Sequence, residues 1–183
     1  MGSLIVDGYN VIHAWPSLLR RLRDAGLEDA RRQLVHLLSE YAAQTGEAVT
    51  VVFDSHGRSG GVQSEVIDGV TVQYGSSRAS ADHVIERSAY EASRGGRAEG
   101  VMVVTSDRLQ RALVSAMGVA TMSAAALETE VARGQTAQTD ARDRLRQAAS
   151  RSRRLEEGIS EETRRRLEQL RRGRPDTTDD DSA

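Results

Sequence analysis

Four aspartates stand where this chain could gather negative charge. Asp7 closes the apolar run Leu4-Ile5-Val6, Asp54 closes Val49-Thr50-Val51-Val52-Phe53, and Asp107 follows Val101-Met102-Val103-Val104 after only Thr105 and Ser106. Asp82 opens the helical pattern Ala81-Asp82-His83-Val84-Ile85-Glu86, with Glu86 one turn further on the same face. An aspartate near a helix start is ordinarily a cap, and Asp82 or Asp107 alone would be read as one. Their coincidence weakens that reading. Carboxylates brought within about 5 Å repel by roughly 3 kcal/mol per ionised pair at an effective dielectric near 20. Such a set lifts one or more pKa values unless a cation neutralises it. A hard divalent ion held by oxygen ligands is the economical partner.

The elements that must position these acids are legible as alternating patterns. Leu4-Ile5-Val6, Val49 to Phe53, Val70-Thr71-Val72 and Val101 to Val104 are short β-branched runs, with Val119-Ala120-Thr121-Met122 a weaker fifth. Between them, Ala30, Leu34, Leu37, Leu38 and Tyr41, then Val84, Ile85, Ala89 and Ala92, then Leu109, Ala112, Leu113 and Ala116 carry the spacing of one buried helical face. Nearly all-apolar strands alternating with helices indicate a parallel sheet covered on both sides. In such a sheet the carboxyl ends of the strands form the edge that binds ligands, and Asp7, Asp54 and Asp107 share that edge. Gly57 to Gly61 and Gly95-Gly96 mark loops. The expected organisation is an α/β domain over 1–135, an arginine-rich helical extension over 136–174 in two helices of roughly 137 to 157 and 160 to 172, and a disordered acidic tail over 175–183 after Pro175.

Composition removes several chemistries. Among the 183 residues there is no cysteine, so disulfides, thiol nucleophiles and cysteine-zinc sites are excluded, and a reducing cytoplasm is the expected setting. All 25 basic residues are arginine, which excludes Schiff bases and Walker phosphate loops. No window is apolar enough for a membrane span, and the N-terminus lacks the form of a signal peptide, so no membrane partner is expected. A formal charge of −2 conceals an asymmetry: residues 142 to 174 hold twelve Arg against six Asp or Glu. The balanced total therefore leaves room for a nucleic-acid partner.

Ile5-Val6-Asp7-Gly8-Tyr9-Asn10-Val11-Ile12, Val51-Val52-Phe53-Asp54, Ser80-Ala81-Asp82 with Ile85-Glu86, and Val104-Thr105-Ser106-Asp107 together resemble the NYN domains, within them the bacterial YacP-like proteins of PIN-like fold. The resemblance covers about residues 3 to 130 and, more weakly, the basic C-terminal helices. It implies a three-layer α/β, Rossmannoid fold with a five-stranded parallel sheet of order 3-2-1-4-5, and endonucleolytic cleavage of RNA with Mg²⁺ or Mn²⁺. Asp7, Asp82 and Asp107 match the family's metal-binding carboxylates and Asn10 the polar partner in its first motif. Asp54 and Glu86 stand as secondary candidates. Some relatives carry a second acid directly after the position of Asp82; here it is His83, which leaves one or two metals open and offers a pH-sensitive neighbour of the phosphate.

The chemistry fits that assignment. A cation held by Asp7, Asp82 and Asp107 would polarise the scissile phosphate and acidify a water for in-line attack, leaving a 5′-phosphate and a 3′-hydroxyl. Gly8 would let the backbone turn sharply after the first strand. Asn10 either orients a water or phosphate oxygen without adding charge or bonds its own backbone as a turn residue. RNA contacts are expected from His56 and Arg58 in the loop after Asp54, from Arg108 beside Asp107, and from Arg151, Arg153, Arg154, Arg164, Arg165 and Arg166. His13 and His36 show no metal-ligand spacing, and Trp15 reads as packing. The expected function is a metal-dependent endoribonuclease, its RNA including messenger RNA met on the ribosome; the alternative is an inactive RNA- or ribosome-binding module of the same fold.

Overall fold

The computed structural model describes residues 2–54, 63–76 and 79–172, and for 154–162, 164 and 167–172 the helical backbone alone. His56, Arg58 and the acidic tail lie outside the described residues. In chain order the elements are β1 (Ser3–Asp7), α1 (Gly8–Ala14), α2 (Pro16–Ala25), α3 (Leu27–Thr45), β2 (Ala48–Phe53), β3 (Gln63–Ile67), β4 (Val70–Tyr74), α4 (Ala81–Arg94), β5 (Val101–Val104), α5 (Arg108–Ala116), β6 (Ala120–Met122) and α6 (Ala124–Arg172).

The sheet order is β3-β4-β2-β1-β5-β6. The five strands read from the sequence pair in parallel, with β1 central between β2 and β5. A sixth strand corrects the expectation of a five-stranded, purely parallel sheet: β3 lies antiparallel on β4 at the edge. The turn between them is Asp68-Gly69, with φ of 48° and 82°. A two-residue hairpin needs positive φ at both positions, which Asp-Gly supplies at little cost. All five β3 residues are exposed, so the strand carries none of the apolar signal that marks the others.

Alternation along the buried strands feeds two cores. Leu4, Val6, Val49, Val51, Phe53 and Val104 pack on one face with Leu18, Leu34 and Leu38 from α2 and α3. Ile5, Val52 and Val103 pack on the other with Ile85 and Ala89 of α4 and Val114 of α5. Both faces are therefore covered, as a parallel sheet requires. Trp15, 2 % exposed, begins the turn into α2 and donates Nε1–H to the carbonyl of Ala124 at 2.7 Å, pinning the first turn of α6.

Two helical expectations are corrected. On α5 the stripe Leu109, Ala112, Leu113, Ala116 faces solvent, with Leu109 83 % exposed, while Gln110 and Val114 are buried. The polar Gln110 disguised the buried face. The C-terminal segment is one helix, α6, in place of two. Its first turns are anchored by buried Ala124, Leu127 and Val131, and Gly158, which costs about 1 kcal/mol, does not interrupt it. The chain divides into compact units Met1–Thr136 and Ala137–Ala183. Among the described residues no helix is long and apolar enough to cross a membrane.

Candidate functional site

Asp7, Asp54 and Asp107 are placed at or just after strand ends, and Asp82 at a helix start. Asp7 ends β1 and is the N-cap of α1, its Oδ1 accepting the main-chain N–H of Asn10 at 3.0 Å. Asp54 follows β2 and its Oδ1 accepts the N–H of Ala81 at 2.7 Å, tying that strand to the first turn of α4. Asp107 is the N-cap of α5, its Oδ1 accepting from Leu109 at 2.7 Å and Gln110 at 3.1 Å. Asp82 sits in the first turn of α4, and its Oδ1 accepts from Nε2 of Gln110 at 2.7 Å. Positive helix N-termini temper the repulsion that gathering these groups would otherwise cost.

The four carboxylates line one cavity of about 530 Å³ together with Tyr9, Asn10, His13, Ala14, Ala81 and Ser106. Asp7 is only 9 % exposed. Burial pushes its carboxyl up to about 6; the Asn10 N–H opposes the rise, and the charges of Asp82 and Asp54 add to it.

Asn10 is not a turn residue bonding its own backbone: its Oδ1 accepts the N–H of Ser106 at 2.8 Å, joining the end of β1 to the loop after β5. Gly8 is needed for space, because a Cβ there would stand 2.2 Å from the Phe53 ring. Tyr9, Phe53 and Tyr74 form an aromatic row, with centroids 5.6 Å and 6.0 Å apart, and the Arg31 guanidinium lies 5.2 Å, 5.3 Å and 5.8 Å from the three rings. Arg31 also donates to the Tyr9 hydroxyl, which fixes that ring in the cavity wall.

The secondary candidates separate. Asp54 belongs to the cavity, whereas Glu86, half-buried on α4, does not line it. His83 is exposed, pairs its Nδ1 with the Ser80 hydroxyl at 2.9 Å, and lines a different cleft with Gln73 and Arg87. Arg108, Arg151, Arg153, Arg165 and Arg166 are exposed, and for Arg154 and Arg164 only the helical backbone is described. Sequence reasoning set His13 aside and gave Ser106 and Gln110 no role of their own. His13 follows Asn10 by three residues on α1, and that one-turn spacing was the available signal.

The set fits a hard divalent cation in donor chemistry and in the cavity it shares. Among the described residues, however, no three His, Asp or Glu side chains are arranged to hold a metal ion in the positions they occupy. Asp7, Asp82 and Asp107 would have to draw together on it.

A family model for the YacP-like NYN domain matches residues 4–172. The uncharacterized protein YacP of Bacillus subtilis (strain 168) is 33% identical over 173 residues, covering 94% of this chain and 98% of that protein. The crystal structure of Rae1 (YacP) from Bacillus subtilis superposes with a TM-score of 0.64 at 32% identity, covering 94% of this chain and 96% of that one. A mutant of the same protein gives 0.63 at 33% identity over 74% of this chain and 78% of its own.

Proposed function

We propose, from the premise that the chain belongs to the YacP-like NYN domain family, that its acid-lined cavity is the active site of a divalent-metal-dependent endoribonuclease. The observation that carries this reading is the meeting of Asp7, Asp54, Asp82 and Asp107 in one cavity at the carboxyl edge of the sheet, with Asp7 buried and its carboxyl raised to about 6. A purely RNA-binding surface gains nothing from carboxylates facing phosphates.

Asp7, Asp82 and Asp107 would hold Mg²⁺ or Mn²⁺. When bound, the ion supplies Lewis acidity toward a phosphodiester oxygen and makes a water more acidic. The chain's own residues orient and enclose. Hydrogen bonds engage Oδ1 of Asp82 and of Asp107, and among the described residues none engages Oδ2 of either, which leaves that oxygen for the cavity. Asn10 keeps its carbonyl on Ser106, so its amide hydrogens can be offered to a phosphate oxygen. Tyr9 gives the wall a fixed aromatic edge against which a base can lie.

The test is incubation of purified protein with end-labelled RNA, with and without Mn²⁺, alone and with translating ribosomes. Cleavage should stop with EDTA, return with Mg²⁺ or Mn²⁺, and leave 5′-phosphate ends. A 2′,3′-cyclic phosphate product would refute attack by water, and metal-independent binding without cleavage would reassign the chain as a binding module.

The arginines of α6 supply the RNA grip in this reading. Each phosphate contact adds about −0.7 to the slope of log affinity against log salt for a single strand. Truncation after Thr136 should flatten that slope by several units and leave slow cleavage; an unchanged slope would assign these arginines to packing or a protein partner.

A further inference from the structure

Gln110 is one of three buried polar side chains among the described residues, 5 % exposed in the first turn of α5. Its Nε2 donates to Oδ1 of Asp82 on α4 at 2.7 Å, and its main-chain N–H donates to Oδ1 of Asp107 at 3.1 Å. One residue thus touches two acids that reach the cavity from different helices. Its Oε1 is buried and has no hydrogen-bond partner among the described residues. Leaving a buried acceptor unpaired costs stability. Methionine would fill the same space without that cost, so packing alone does not account for an amide here.

We propose that Gln110 is a positioning residue of the site, tying Asp82 to the first turn of α5 beside Asp107 and fixing the rotation of the Asp82 carboxyl so that its free oxygen faces the ion on which the acids draw together. The proposal rests on the nuclease reading above. A donor held against one oxygen of a carboxylate fixes the rotation of that group, and groups that orient metal ligands in this way change metal affinity or activity by about 10- to 100-fold when removed. The tie also crosses from α4 to α5, so it couples two ligands that the backbone of neither helix joins alone.

The test compares Gln110→Met, Gln110→Glu and, as a control, Gln135→Met, which breaks an amide-to-carboxylate bond of the same kind to Glu40 at 3.1 Å, among residues that do not line the cavity. Three quantities are read on the full chain: metal-free melting temperature, Mn²⁺ affinity by electron paramagnetic resonance, and kcat and KM on end-labelled RNA. Gln110→Met should melt no lower than wild type, bind Mn²⁺ about 10- to 100-fold more weakly and lose kcat by a like factor with KM for RNA unchanged. Gln110→Glu, which replaces the donor with a like charge, should lose more of both, and it carries the test should the methionine variant not fold. Gln135→Met should match wild type in Mn²⁺ affinity and kcat. A Gln110→Met protein with wild-type Mn²⁺ affinity and kcat overturns the proposal alone, as does a loss of kcat that only tracks a fall in melting temperature. Wild-type protein that neither cuts RNA nor binds Mn²⁺ overturns the nuclease reading, and the proposal with it.

Discussion

β1 and β5 lie side by side and run into helices in the same way, each capped by an aspartate whose Oδ1 takes main-chain N–H groups. The two caps nevertheless differ in kind. Asp7 is enclosed, and burial raises its carboxyl to about 6, whereas Asp107 stands exposed at the cavity's rim. Capping is decided by three or four consecutive residues, but burial is decided by groups that arrive from elsewhere in the chain; next to Asp7, the Phe53 ring packs against Gly8 and the main-chain N–H of Ser106 donates to Asn10. A cap and a reactive acid are therefore not alternatives. In the proposed reading the same carboxylate is both, and its surroundings grade the second role.

The largest expected effect asks whether the two ends serve one reaction. Asp7→Asn, Asp82→Asn and Asp107→Asn should each cut RNA more than about 100-fold more slowly, since even groups that merely support metal ligands cost 10- to 100-fold. Melting curves on the same preparations should show folded protein. Full activity in Asp107→Asn would break the parallel and leave β5 with a cap alone.

Stability should then separate the ends. Asp7 has a folded pKa of about 6, above the ordinary 3.8, so the folded state binds its proton more tightly than the unfolded chain does. Wild-type metal-free protein should lose stability as pH rises from about 4 to 6, on the order of 3 kcal/mol in all, with no further loss from this group above that window. Asparagine caps as well as aspartate and carries no charge. Asp7→Asn should thus gain about 3 kcal/mol at pH 7, some 6–12 °C in melting temperature, and nothing below pH 4. Asp107→Asn should stay within about 0.5 kcal/mol at either pH, and Asp107→Ala should lose about 1 kcal/mol with its cap. A pH-independent difference in Asp7→Asn would remove burial as the distinction.

The smallest effect sits one residue beyond each acid. Gly8→Ala forces a methyl against the buried Phe53 ring and should cost about 1–2 kcal/mol, while Arg108→Ala, in the matching exposed place on α5, should be neutral in stability. Chemical denaturation of both variants measures the contrast.

The acids were legible because strand ends and helix starts leave local traces: Asp7, Asp54 and Asp107 follow apolar runs, and Asp82 opens a helical pattern. What surrounds them left little. Gln110 is polar at a buried position, so the period of α5 was assigned to Leu109 and Leu113, which face solvent. β3 has no buried residue, and only Asp68-Gly69 betrays its hairpin. α6 changes composition at about Thr136, but that change marks where burial stops after Val131 and not where a helix begins.

The central place of β1 carries a consequence for the order of assembly. Ser3 pairs with Ala48 on one side and with Val101 on the other, so the strand made first waits for a partner made much later. At roughly 5–20 residues per second of synthesis, β5 is made on the order of ten seconds after β1. During that interval the nascent chain holds Asp7 and Asp54 without Asp107, and Asn10 without the Ser106 amide that seats it. A chain with the proposed activity is thus silent toward the messenger that encodes it until more than half of its own length has been made.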